Sequence, residues 1–120
     1  MNLDISSDIM PIKPVEWLGD SRDRVQAFPA DARGEIGFEL WEVQQGKEPS
    51  DWKPMPSVGL GVNEIRVRTG NAYRLIYVAR FSEAVYVLHA FEKKSRKTSK
   101  PDLELARKRF RTMVQERRQR

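Results

Sequence analysis

With 120 residues, 39% of them hydrophobic, no cysteine and a net charge of +5, the chain can build one small core and excludes a disulfide framework or a thiolate metal site. The charge is uneven: residues 91–120 carry 12 Lys/Arg against 4 Asp/Glu, whereas residues 1–90 carry 10 against 13. A basic final quarter on a slightly acidic body suits a polyanionic partner, but a charge run alone is as often a solvated helix face.

Asp4 and Asp8 stand where a signal peptide would be positive, and no apolar stretch is long enough to span a bilayer, so a soluble cytoplasmic protein with no membrane partner is expected. Residues 1–10 have no periodicity and are expected to be a disordered extension, with Met10 an alternative start to Met1. Residues 11–120 are expected to form a single domain. Pro11–Leu18 predicts a short strand with prolines at its entry, ended by Gly19, that lies on an edge or pairs with a later strand. Asp20 or Ser21 can cap a first helix, Arg22–Phe28, which Pro29 breaks. Asp31 can cap a second, in which Ile36, Leu40 and Val43 recur at helical spacing, and Gly46 closes it. Phe38 and Trp41, on its flanks, are expected to pack in the core. Pro49, Pro54, Pro56, Gly59 and Gly61 predict an irregular crossover loop over Lys47–Gly61. Trp52 and Lys53 lie in it; the tryptophan is expected to fold onto the core, and the lysine is a candidate phosphate contact.

The chain is organised around Val62–Lys100, three β-like segments joined by Thr69–Ala72 and Phe81–Glu83 and running into a lysine cluster. Register decides what the first two segments present. With an odd-length, bulged connection, Ile65 and Val67 share one face with Leu75 and Tyr77, and Arg66, Arg68 and Arg74 share the other; an even loop would drive Arg74 into the apolar face, where burying a guanidinium needs a partner. The odd register is expected. Three arginines on one face make a floor suited to phosphate, because guanidinium donates in bidentate fashion, although pairing with Glu64 and Glu83 on a solvated face would produce the same pattern. Lys93, Lys94, Arg96, Lys97 and Lys100 leave the sheet where that floor ends. A final helix, Pro101–Arg117, is expected, with Ser99 as cap and Leu103, Ala106, Phe110 and Met113 as its apolar stripe. His89, the single imidazole, is expected to be a hydrogen-bonded structural residue rather than a catalytic one. No carboxylate cluster or histidine set suggests a metal site, and no cofactor is implied.

Gly61-x-x-Glu64-Ile65-Arg66-Val67-Arg68, Tyr73-Arg74-Leu75-Ile76-Tyr77, Leu88-His89-Ala90-Phe91-x-Lys93-Lys94-Ser95-x-Lys97-Thr98 and Glu104-Leu105-Ala106 together resemble the phage-derived, HigB-like branch of the RelE/ParE toxin superfamily, over about residues 11–112. The resemblance implies an α+β, RelE-like fold: an N-terminal helical hairpin packed on an antiparallel sheet, with a C-terminal helix and an RNA-binding opposite face. It implies the toxin of a type II toxin–antitoxin pair that cuts mRNA on the ribosome without metal, the ribose 2′-OH attacking the adjacent phosphate. By position, Arg74 would engage the scissile phosphate, with Arg66 and Lys94 as further catalytic cations. Lys97 joins them because crowding by like charge is one way to lower a lysine's pKa for base catalysis. Lys53, Arg68, Lys93, Arg96 and Lys100 are the candidate RNA contacts. The chain departs from RelE at Glu64, where RelE is basic, and no tyrosine follows Lys93-Lys94. The alternative is therefore a ParE-like gyrase poison without catalysis. In either case the implied partner is a helix-turn-helix, HigA-like antitoxin, the toxin being a monomer alone and part of a hetero-oligomer with it.

Overall fold

Alternating apolar and charged residues pair Val62–Thr69 with Asn71–Val78, and the rest of the fold packs on the two faces so created. The computed structural model describes residues 11–120; the expectations for residues 1–10 lie outside the described residues. The elements run β1 (Val15–Trp17), α1 (Ser21–Gln26), α2 (Ala30–Gln44), β2 (Trp52–Pro54), β3 (Val62–Thr69), β4 (Asn71–Val78), β5 (Val85–Lys93) and α3 (Lys100–Arg118). This is the expected α+β architecture. The sheet has the order β1-β5-β4-β3-β2 and is mixed rather than wholly antiparallel, because the edge strand β1 runs parallel to β5.

The β3–β4 register is the odd one: Thr69 pairs with Asn71 around Gly70, and Ile65, Arg66 and Val67 stand opposite Leu75, Arg74 and Tyr73. Gly70 takes φ +82°, a left-handed conformation that costs a glycine nothing. The irregularity falls not in this hairpin but between β4 and β5, where Tyr77 pairs with Val87 and Ile76 with His89. Leu88 is the extra residue, so it and His89 both turn to the same face. Arg109 of α3 meets the strand there, donating to the Leu88 carbonyl at 2.9 Å and to Asp20 at 2.8 Å. Hydrogen bonds from Arg109 and Arg24 pull the Asp20 carboxyl down to about 2.

One face of the sheet, with Ile65, Val67, Tyr73, Leu75, Val85 and Val87, packs against Val25 of α1 and Ala32, Ile36, Leu40 and Val43 of α2. The other packs Ile76, Tyr86, Leu88 and Phe91 against Ala106 and Met113 of α3 and against Met55 and Val58 of the crossover. Ser99 caps α3 as expected, its Oγ accepting from the Asp102 N–H at 3.2 Å.

Several boundaries differ from expectation. The first strand is confined to Val15–Trp17, and α1 begins at Ser21. Pro29, not Asp31, occupies the N-cap position of α2, and Asp31 accepts from the Ala32 N–H at 2.8 Å. The crossover is not wholly irregular, since Trp52–Pro54 pairs with Asn63–Ile65. As the sheet's edge, β2 tolerates Pro54, which lacks an N–H to donate. Trp52 is half-buried. The expectation for Phe38 and Trp41 fails: they are 58% and 46% exposed, because Ile36, Leu40 and Val43 already fill the inward face of α2.

The inward and outward faces of α2 are thus separable. Ile36→Ala, at a fully buried position, is expected to lose about 2–5 kcal/mol, and Trp41→Ala on the same helix no more than about 0.5 kcal/mol. Urea unfolding of the two variants checks this; comparable losses would place Trp41 in the core.

Candidate functional site

Face parity carries Glu64, Arg66 and Arg68 of β3 to the side away from α1 and α2. Pairing adds Lys53 opposite Glu64, Arg74 opposite Arg66, and Phe91 opposite Arg74. Helix α3 covers this side over Ile76, Tyr86, Leu88 and Phe91, and beyond them Arg68 keeps a solvent-facing surface. The β5–α3 turn closes that end.

A cleft of about 660 Å³ forms there, lined by Arg68, Arg74, Lys93, Lys94 and Arg96 together with Asn71 and Glu92. Five of the expected cations therefore converge. A second cleft, of about 500 Å³, shares Glu92 and Lys94 but is lined also by Asp23, Asp102 and Phe28, a mixed wall poorly suited to a polyanion. Arg66 stands beside Arg74 but is tied to Asp51 at 3.0 Å, and Lys53 lies exposed on the edge strand. Lys97 and Lys100 are exposed outside the cleft, in the turn and at the first residue of α3.

The cations in the cleft are not equivalent. Arg68 and Lys94 are exposed and form no ion pair among the described residues. Lys93 folds back on its own turn, donating to the Ser95 and Arg96 carbonyls at 2.7 and 2.5 Å, and so holds the turn against the sheet. The Arg74 side chain is 11% exposed; its Nη1 donates to the Tyr73 carbonyl at 3.1 Å, and its Nε lies 3.6 Å from the Glu64 carboxylate.

Glu64 is the least expected member of the site. Its side chain is 1% exposed, and among the described residues neither oxygen has a hydrogen-bond partner. Burial raises its pKa, against the attraction of Arg74, Lys53, Arg66 and Lys93. Burial likewise lowers that of Arg74, against the attraction of Glu64. The two are an ion pair without a hydrogen bond, an arrangement that rarely recovers the cost of desolvation. Alternation signals which face Glu64 occupies, but not that this part of the face is closed over. Glu83, by contrast, pairs with Arg117 of α3 at 2.5 Å and accepts from Tyr86, contacts that bring its carboxyl down to about 2; it does not meet the sheet arginines.

His89 has the structural place expected of it. It is fully buried, with Nε2 2.7 Å from Asp102, and stacks on Phe91 with centroids 5.2 Å apart. Asp102 also accepts from the Ser99 hydroxyl at 2.6 Å, so one carboxylate joins β5 to the cap of α3.

The family model described as "Phage derived protein Gp49-like (DUF891)" matches residues 23–111, from α1 through most of α3. No curated protein matches the chain.

The Glu64 environment has a signed consequence. Its folded pKa lies above the ordinary 4.5, so the unfolded chain ionises first and stability falls as pH rises from about that value towards the folded one. Glu64→Gln removes this contribution. The stability difference, variant minus wild type, is expected to grow with pH above about 4.5 and then level off. Urea midpoints measured from pH 4 to 8 check it; parallel curves would show that Glu64 titrates alike in both states.

Proposed function

The chain belongs to the phage-derived Gp49-like family, which is toxin-like and related to toxin–antitoxin systems, and on that premise we propose that it is a ribosome-dependent mRNA endoribonuclease of the RelE/HigB kind. The observation that carries the reading is the convergence of Arg68, Arg74, Lys93, Lys94 and Arg96 on one open cleft of the sheet. An RNA backbone laid there meets exposed Arg68 and Lys94 first, and Arg74 below them.

In-line attack of a ribose 2′-OH on the adjacent phosphate leaves a 2′,3′-cyclic phosphate and a 5′-OH. The extra negative charge on the phosphate oxygens in the transition state is what preorganised cations stabilise best, because they need not reorganise as it develops. The reading gives that role to Arg74, which is held by the Tyr73 carbonyl and lies beside Glu64, and gives Arg68 and Lys94 backbone binding and additional charge. Arg66, paired with Asp51, supports the field from the neighbouring strand. Arg96 adds charge within the cleft, and Lys53, Lys97 and Lys100 extend the positive surface beyond it, along which flanking nucleotides can run. The reading assigns the work to a cationic site in the cytoplasm, restrained by a cognate antitoxin.

Expression of wild type, Arg68→Ala, Lys94→Ala and Arg74→Ala in a bacterial host, with primer extension on a translated reporter mRNA, tests it. Wild type is expected to arrest growth and cut within translated codons. Loss of a preorganised transition-state donor typically costs about 10²–10³ in rate, the drop expected for Arg74→Ala; Arg68→Ala and Lys94→Ala are expected to fall about tenfold as lost phosphate contacts. Arrest with intact message and broken DNA would replace the nuclease with a gyrase poison.

A further inference from the structure

Helix α2 has two apolar faces, and the core uses only one. Ala30, Gly34, Phe38 and Trp41 follow one another at steps of three or four on the side away from Ile36, Leu40 and Val43. Phe38 and Trp41 are the two most exposed aromatic side chains described, at 58% and 46%. Gly34 and Gly37 lie beside them. Among the described residues a Cβ at either would meet no atom within 4 Å, so no packing there requires glycine at two positions where it weakens a helix relative to alanine. Without side chains there, another backbone can approach closely between the aromatics.

Chemistry limits what approaches. Asp31, Glu35 and Glu42 run down one flank of this face, and a groove of about 500 Å³ opens between that flank and Ser50, lined by Ala30, Asp31, Gly34, Glu35 and Phe38. Glu39 is held at its back by bonds from the Ser50 N–H and, at 2.9 Å, the Ser50 hydroxyl, so the wall is rigid and negative. RNA is repelled by such a groove. Residues 1–10 of this chain carry Asp4 and Asp8 and have the wrong sign for it.

We propose that the outer face of α2 docks an amphipathic helix of the antitoxin, with small and apolar residues seated on Phe38 and Trp41 and a row of Lys/Arg along the Asp31/Glu35 groove. That the partner is an antitoxin rests on the reading above; the apolar and acidic character of the surface does not. Because α2 lies across the sheet from Arg68 and Arg74, this contact leaves the cationic cleft uncovered.

The test is purification of the full chain with the product of the adjacent gene, followed by titration of that partner against wild type, Phe38→Ser/Trp41→Ser, Glu35→Lys and Arg68→Ala. The double variant is expected to weaken binding at least 100-fold and Glu35→Lys about tenfold, while Arg68→Ala leaves it unchanged. Unfolding curves matching wild type establish that the variants are folded, and reversal of a partner lysine to glutamate is expected to recover affinity for Glu35→Lys. Unchanged binding of the double variant, loss of binding in Arg68→Ala, no complex with wild type, or self-association through α2 would each overturn the proposal. Growth arrest and RNA cleavage by the uncomplexed chain are read separately, so failure of the nuclease reading does not mimic failure of the docking surface.

Discussion

Everything on the cationic side depends on the β3–β4 register. Pairing Thr69 with Asn71 around Gly70 keeps Ile65, Val67, Leu75 and Tyr77 together under α1 and α2, and sends Arg66, Arg68 and Arg74 to the other side. A slip of one residue would exchange the two sets on one strand and bury guanidinium groups against α2, at a desolvation cost that the small core could not offset. The hydrophobic requirement of one face thus specifies the electrostatics of the other. The chosen register sets Arg66 directly opposite Arg74, a like-charge pair that is unfavourable by itself. Asp51 draws Arg66 towards the edge strand and Glu64 faces Arg74, so each arginine has its own counterion.

The second constraint is that the far face is only partly roofed. The bulge at Leu88 turns Leu88 and His89 to the same side, which gives α3 both an apolar seat and a polar anchor. His89 reaches Asp102 in the first turn of α3 while Ser99 caps that turn, and Arg109 ties the helix back to Leu88 and Asp20. The helix is thereby held over Ile76, Tyr86 and Leu88 and kept off Arg68 and Arg74. The cleft is what remains.

How much of this is legible in the sequence follows from the range of each interaction. The arginine face could be read from a period-two pattern and one glycine in a tight connection, both local, and so could the Ser99 cap. The edge strand Trp52–Pro54 could not, since three residues in a proline-rich stretch become a strand only by pairing with Asn63–Ile65. The bulge is not legible for a related reason: it arises between β4 and β5, where the turn residues of the β3–β4 hairpin carry no information. Phe38 and Trp41 have the spacing of core residues, and only the packing of α2 on β3 shows which face is spare. In the cleft, Lys93, Lys94 and Arg96 stand with Arg68 and Arg74 as charge and order suggested, whereas Lys97 and Lys100 lie beyond it because the turn carries them past the cleft wall.

Glu64 offsets part of the repulsion within this dense set of cations. Arg74, Lys53, Arg66 and Lys93 all act on its carboxylate, while Arg66 is separately paired with Asp51. Burial makes the carboxylate a poor ion and the pair a weak source of stability, so its effect is to hold the Arg74 guanidinium in one place rather than to bind it tightly. A phosphate entering above Arg68 would bring a second negative group towards the same guanidinium. It would raise the cost of keeping Glu64 ionised, and it would not reach the Arg74 Nε, which is buried beside Glu64. Burial and spacing thus fix the guanidinium from within: Nη1 donates to the Tyr73 carbonyl, Nε is closed off beside Glu64, and Arg74 meets the cleft only with what those contacts leave over.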